Sequence, residues 1–390
     1  MRTLFALVFA CSLALVPCGG RAAETTPFEL NAIAPLTGTG TFVGKEIAES
    51  LGVLEQFVNK QGGINGRPVK FVIYDDQTNP QIGVQLANEI LAKKPSIILG
   101  PGIVAVCSAV AALTAANGPM QYCFSPGIHP VKGTYVFSSA VSTVDQMGAA
   151  LNYFRLRGLT KIAIITSTDA SGQDAENAFN EDLALPENKS LNVVDREHFN
   201  TSDVSVAAQM VRIKAANPQV LIAWSTGTPA GTLLRGVKET GLDVPILTTS
   251  GNLTYTQMQQ YASFMPKELY FPTVPSVGEV QVADKATRDQ INAYHAALAT
   301  AGLRADYPRA SAWDPALIVI SAFRKLGMNA SATQIRDYIA NLKGWTGING
   351  PYDFRAVPQR GLDVKGAVVV RWDVAKGTWI GVSRPGGTPL

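Results

Sequence analysis

Histidine is scarce in this chain. Only His129, His198 and His295 occur in 390 residues, and none stands at metal-ligand spacing with another or with a cysteine. The Gly-x-Ser-x-Gly nucleophile turn is missing. So is a phosphate-cradling Walker loop, and any ATPase would have to be a separate subunit. Gly38-Thr39-Gly40-Thr41-Phe42-Val43-Gly44 is glycine-rich but has one residue too many for the dinucleotide fingerprint. These absences predict a protein without catalytic activity and without a cofactor. There is no short-period repeat and no low-complexity segment. The 33 basic residues against 30 acidic ones give no electrostatic case for nucleic acid or an anionic membrane.

What is present begins with a leader. Arg2 is followed by an apolar stretch from Leu4 to Val16, broken only by Ser12, and then by the small-x-small site Gly20-Arg21-Ala22. The stretch is too short for a permanent membrane span, and no later apolar run is long enough to be one. Residues 1–22 are therefore read as a cleaved signal peptide that sends the chain to the periplasm. Lipoprotein processing at Cys18 is the rival reading, disfavoured because Pro17 stands where a small residue is expected. Of four cysteines, Cys11 and Cys18 leave with the leader, and Cys107 and Cys123 remain. In an oxidising compartment these two can pair. The alternative is two buried thiols, and the choice turns on their Cα separation.

The roughly 370 remaining residues exceed what one hydrophobic core usually organises, so two lobes are the default. Phe28 to Pro35 reads as a strand, and a helix follows from about Lys45 with Ile47, Leu51, Leu54 and Val58 on one face. Gly62-Gly63 ends that helix and leads through Ile64-Asn65-Gly66-Arg67 into a strand over Val69 to Tyr74, closed by Asp75-Asp76. Asn79-Pro80 caps and starts another helix, running through Lys94. Ser96 to Leu99 and Met120 to Phe124 read as strands, with a helix from Val104 to Asn117 between them. The rhythm restarts after about Asp145. Strand-like stretches over 161–166, 191–195, 219–224 and 245–248 alternate with helical ones over 174–183, 204–216 and 230–240. A third block is mostly helical, over 285–301, 315–326 and 332–342, and 366–379 returns to strand. Alternation in two blocks implies an α/β fold of two doubly wound lobes, each with a mainly parallel sheet.

Four segments, in order, carry a resemblance: Ala34-Pro35-Leu36-Thr37-Gly38 with Gly44; Gly62-Gly63-Ile64-Asn65-Gly66-Arg67 running into Tyr74-Asp75-Asp76; Gly100-Pro101 paired with Ser125-Pro126; and Gly347-Ile348-Asn349-Gly350-Pro351-Tyr352-Asp353-Phe354 before a C-terminal hairpin. Together they resemble the leucine/isoleucine/valine-binding family of periplasmic solute-binding proteins, the ligand-capturing partners of ABC importers. The resemblance implies two lobes, 28–144 plus 273–350 and 145–271 plus 351–390, joined by three crossovers and closing like a hinged trap. It further implies a monomer that binds a small-molecule solute and docks on permease subunits in the inner membrane. A periplasmic sensing module that presents its closed form to a receptor is the alternative.

In open α/β sheets ligands bind beyond the carboxyl ends of the strands. The expected cleft is thus made by 102–104, 125–129, 224–228 and 249–251, which include Gly102, Gly127 and Thr226. By resemblance, the serine and threonine that would take an amino acid's carboxylate fall at Val104 and His129, and the acid that would take its ammonium falls at Ser250. No charged group would then face an ammonium, and an unpaired buried charge is costly. The expected ligand lacks a free α-amino group: an aromatic or aliphatic carboxylate, or a small amide. His129 is expected to donate to a carboxylate, against the alternative of a packing histidine. Trp224 is expected to stack on a ligand ring or else pack at a strand end. Phe42 is expected to touch ligand from the first turn or else simply to pack, and Ser125 and Ser250 to donate hydrogen bonds or satisfy turn backbone. Asp75-Asp76 and Trp313-Asp314 read as caps, the latter opening a helix near the hinge.

Overall fold

The computed structural model describes residues 26–138, 141–278 and 280–390, and the expected leader, with Cys11 and Cys18, lies outside them. In chain order the first block is β1 (Phe28–Ala34), α1 (Thr41–Lys60), β2 (Val69–Asp75), α2 (Pro80–Leu91), β3 (Ile97–Leu99), α3 (Val104–Thr114), β4 (Met120–Cys123) and β5 (Val136–Ser138). The second is α4 (Thr143–Leu156), β6 (Lys161–Ser167), α5 (Ala170–Leu183), β7 (Asn192–Phe199), α6 (Ala207–Ala215), β8 (Val220–Trp224), α7 (Pro229–Thr240), β9 (Ile246–Leu247), α8 (Tyr255–Gln260) and β10 (Leu269–Thr273). The third is α9 (Lys285–Thr300), α10 (Tyr307–Leu326), α11 (Ala332–Ala340), β11 (Lys343–Gly347), β12 (Gly350–Asp353), β13 (Val368–Asp373) and β14 (Thr378–Gly381).

The strands make two sheets and a ribbon. One sheet is parallel throughout, in the order β2-β1-β3-β4-β5. The other runs β14-β13-β10-β9-β8-β6-β7, parallel from β10 to β7, with β13 antiparallel to β10 and forming a hairpin with β14. β11 and β12 form an antiparallel ribbon. Each sheet therefore reverses strand order once, between β1 and β3 in the first and between β6 and β8 in the second. At such a point the connections leave in opposite directions and open a crevice.

Local chemistry accounts for the first unit. Ile47, Leu51, Leu54 and Val58 of α1 are fully buried, as their spacing requires. After the helix, Gly63 takes a φ of 63° and approaches so close that a Cβ would lie 2.1 Å from the Arg67 carbonyl. Only glycine fits, and Ile64, buried beside it, pairs with Arg67 before β2 begins. Asn79 caps α2, its Oδ1 accepting from the N–H groups of Gln81 at 2.8 Å and Ile82 at 3.3 Å. α1 packs on α10, where buried Arg309 is enclosed by Glu46, Glu49 and Asp306. Burial lowers the Arg309 guanidinium to about 10.

Several boundaries differ from the sequence reading. The helix expected from Pro315 begins eight residues earlier, at Tyr307, capped by Asp306 with Pro308 in its first turn. An Asp and a Pro therefore stand in start-signal positions twice, and the second pair lies inside the helix. Trp313 and Asp314 are accordingly not caps. Asp314 is fully buried and accepts from the N–H groups of Ile348 at 3.0 Å and Asn349 at 3.1 Å and from the Tyr352 hydroxyl at 2.9 Å. Burial raises its carboxyl to about 6. The same contact explains the Gly347-Ile348-Asn349 segment, because a Cβ on Gly347 would come within 2.3 Å of the Asp314 carboxylate. β5 is too short for a pattern to register. β10 contains Pro272, which argues against an interior strand, yet Pro272 faces Val369 of β13 at a level β9 does not reach.

The segment after β12 also touches the first sheet. Phe354 packs on Phe137 of β5 with ring centroids 5.9 Å apart, and Arg360 donates to the Ser138 hydroxyl at 3.1 Å. Phe354 and Arg360 thus both pack against the edge strand of that sheet.

Candidate ligand-binding cleft

The carboxyl ends of the two sheets face one another across a cavity of about 70 Å³. Its walls come from the switch points. After β1 and β3 stand Thr39, Gly40 and 102–105; after β6 and β8 stand Asp169, Ala170, Ser171, Asp174, Trp224 and Thr226. The 124–127 segment after β4, Thr249 and Gly251 after β9, and Tyr307, Pro308 and Ser311 of α10 join it, with Val43, Thr78 and Thr143.

In the first lobe, a web of hydrogen bonds shapes the turn after β1. Asp75 accepts from the Thr37 N–H at 3.1 Å and from the Thr37 hydroxyl at 2.7 Å. Burial alone would raise the Asp75 carboxyl; the bonds from Thr37 and Gln77 outweigh it and leave it below its ordinary value. The Thr78 hydroxyl donates to the Thr37 carbonyl at 3.0 Å and accepts from the Gly40 N–H at 2.9 Å. The opposite side of this wall is stapled. Cys107 and Cys123 are joined by a disulfide with Cα atoms 6.0 Å apart, tying α3 to the end of β4. Arg360, buried, donates to the carbonyls of Ile128 at 2.5 Å and Pro126 at 3.2 Å and so holds the loop between them. The Ser125 hydroxyl accepts from the Gly127 N–H at 3.3 Å, satisfying turn backbone while its residue lines the cavity.

In the second lobe, Asp169 caps α5. Its Oδ1 accepts from the Gly172 N–H at 3.1 Å and the Ser167 hydroxyl at 2.7 Å. Ser171 and Thr226 join hydroxyls at 2.8 Å. Asn252 braces the neighbouring loop, accepting from the Gly227 N–H at 2.9 Å and donating to the Ser225 carbonyl at 2.7 Å. The lobes then meet directly: the Thr228 N–H donates to the Thr39 carbonyl at 3.1 Å.

Of the residues expected in the cleft, Gly102, Val104, Ser125, Gly127, Trp224 and Thr226 line the cavity. Three do not. Phe42 is half-buried, and the next residue, Val43, lines the wall instead, one step round the helix. Ser250 is fully buried inside its own turn, leaving Thr249 and Gly251 to face the cavity. His129 sits at the rim, where its Nε2 lies 2.6 Å from Asp174 Oδ1. The expectation of a cleft without charge is overturned, since Asp169 and Asp174 both stand in the wall and no Lys, Arg or His lines it among the described residues. Placing the start of α5 at 174 rather than 170 hid them. The signal was Asp169, a capping residue just past a strand end. Tyr307, Pro308 and Ser311 had no local signal, because α10 reaches the cleft from a distant part of the chain.

Two doubly wound lobes with a crevice between their strand ends define a solute-binding protein of the type I periplasmic fold. The chain belongs to the periplasmic binding protein family, whose family model matches residues 29–378. A curated relative, a Leu/Ile/Val-binding protein homolog of Brucella melitensis, is 23% identical over 256 residues, covering 64% of this chain and 67% of its own. Another homolog from Brucella abortus is covered over 59% of its length, so the chain spans about three fifths to two thirds of such relatives. Among solved structures, the branched-chain amino acid binding protein LivJ of Streptococcus pneumoniae, in complex with isoleucine, has a TM-score of 0.74 at 18% identity, over 92% of this chain and 99% of that one. A solute-binding protein of an R. palustris ABC transporter, in complex with benzoate, has a TM-score of 0.75 at 16% identity, over 94% and 98%. The same fold thus holds an amino acid in one and a carboxylate without an amino group in the other.

Proposed function

We propose that this chain is the extracytoplasmic receptor of an ABC importer: it closes two lobes over a small organic solute and delivers it to permease subunits in the inner membrane. Its role is binding, not catalysis. The observation that carries this reading is the meeting of two sheet switch points across one small cavity, with the lobes in contact at Thr39 and Thr228. We further propose a solute that lacks a free α-amino group, an aromatic or aliphatic carboxylate or a small amide. The cavity offers it hydroxyls from Ser125, Ser171 and Thr226, the first turn of α3 at Val104 and Ala105, and the apolar faces of Phe124 and Trp224. Helix N-termini favour negative groups, and apolar walls hold a hydrocarbon body.

Mass spectrometry of the solute carried through purification, followed by titration into unfolded and refolded protein, tests this. A single small carboxylate or amide, bound stoichiometrically and compacting the molecule in small-angle scattering, is expected. Absence of compaction with any bound solute would sink the trap mechanism.

A further inference from the structure

The cleft contains two acids, and the protein itself bonds to one oxygen of each. Asp169 is spent on the N-terminus of α5, where the Gly172 N–H and the Ser167 hydroxyl share its Oδ1. A carboxylate there is compensated by the helix end. Asp174 is held differently. It projects from the second turn of α5 in one lobe, and its Oδ1 lies 2.6 Å from Nε2 of His129, which comes from the loop after β4 in the other. Its Oδ2 points to the side of Gly127 that a Cβ would fill, 2.7 Å from that position. The carboxylate is therefore wedged across the interlobe gap, 10% exposed, between a histidine and a glycine.

We infer that His129 is a specificity-determining residue that acts through Asp174: it supplies from the protein the counter-group that an α-ammonium would otherwise supply from the ligand. This rests on the solute-binding reading above and deepens it. An acid in a cavity wall attracts an ammonium and disfavours a carboxylate. With its Oδ1 bonded to His129, this carboxylate can take an ammonium only by sharing it with the imidazole. An amino acid whose ammonium turns to Asp174 must then compete with the His129 contact, and that competition costs affinity. A solute of the same shape without the amino group does not meet this penalty. His129 is half-exposed at the rim, so its replacement should leave folding intact.

The test uses matched pairs that differ only in the amino group: L-leucine with 4-methylpentanoate, and L-phenylalanine with 3-phenylpropionate. Calorimetric affinities are compared for the native chain, His129→Ala, His129→Gln and His129→Ala/Asp174→Asn. Freeing Asp174 in His129→Ala is expected to raise affinity for the amino acid of a pair at least tenfold relative to its partner. His129→Gln, which can still donate to Asp174, should keep the native preference. The double variant should lose the gain, showing that it passes through Asp174. No shift in the ratio in folded His129→Ala, or a shift that persists in the double variant, overturns the inference. The outcomes separate the two proposals. If the native chain binds none of the four compounds but His129→Ala gains the amino acids, the role of His129 stands and the carboxylate reading falls. If the native chain binds both carboxylates and His129→Ala gains nothing, the solute reading stands and the role of His129 falls.

Discussion

Across the mouth of the cleft, the Thr228 N–H donates to the Thr39 carbonyl at 3.1 Å, and the preceding residue, Gly227, brings its Cα so close that a Cβ would lie 2.2 Å from the same oxygen. The contact is made of backbone on both sides. Gly227 also has a φ of 87°, a conformation glycine adopts without strain.

Gly227→Val should therefore act mainly on closure. Strain at the positive φ lowers stability by about 1–2 kcal/mol in any arrangement, whereas the clash with Thr39 arises only when the lobes meet. Solute affinity is expected to fall about a hundredfold and scattering to show no compaction, with only a modest drop in melting temperature. Native affinity with native compaction would show that this contact does not limit closure.

The disulfide lends itself to a stability measurement. Cys107 and Cys123 are 16 residues apart in sequence, and closing a loop of that size constrains the unfolded chain by about 3 kcal/mol. The Cys107→Ala/Cys123→Ala variant should lose about 2–4 kcal/mol in urea unfolding. Because α3 and the 124–127 loop both line the cavity, solute affinity should fall as well. An unchanged unfolding midpoint would mean that packing alone holds this wall.

Asp182, on the buried face of α5, has one oxygen without a hydrogen-bond partner among the described residues. Burial, with the nearby charges of Glu181, Asp145 and Glu187, raises its carboxyl to about 7. Between the ordinary carboxyl range and that value the folded protein keeps a proton that the unfolded chain has released. Stability from this group is thus lost as pH rises through the window and stays flat above it. Asp182→Asn removes the titration. The variant should gain about 2 kcal/mol relative to the native chain between pH 5 and pH 8, read as a difference so that Asp76, also raised to about 7, cancels. Parallel pH profiles would refute the assignment.

Asp314→Ala should be among the most damaging single changes. It strands the N–H groups of Ile348 and Asn349 and the Tyr352 hydroxyl, all buried. Leaving such groups unsatisfied is expected to cost about 4 kcal/mol in sum, measurable as loss of the folded state at low urea. Asp314→Asn keeps one acceptor oxygen but turns an NH₂ group toward a second donor, so it should recover only part of the loss.

The fold was readable because its grammar is local. Ile47, Leu51, Leu54 and Val58 announce a helix face, Asn79-Pro80 announces a start, and Gly62-Gly63 announces a stop. The cleft was readable where a wall residue lies at or just past the end of a strand, as Gly102, Ser125 and Trp224 do. It was hidden where the relation is distant. His129 and Asp174 are 45 positions apart and meet only because two lobes face each other. Arg360 supports the 126–128 loop from 232 residues beyond Ile128. Phe42 failed for a smaller reason, since one residue along a helix turns a side chain by about 100°.

α10 joins the parts of the molecule in a way that neither sheet does. Its first two turns supply Tyr307, Pro308 and Ser311 to the cavity, Arg309 locks it to α1, and Asp314 grips the ribbon turn at Ile348 and Asn349. Within eight residues, about 12 Å of helix, a single rigid rod thus touches the cavity, the frame of the first lobe and the base of the returning chain. In mechanical terms it is a tie-beam. The residues that wall the cavity and the carboxylate that anchors the segment leading to Arg360 are thus carried by one piece of backbone.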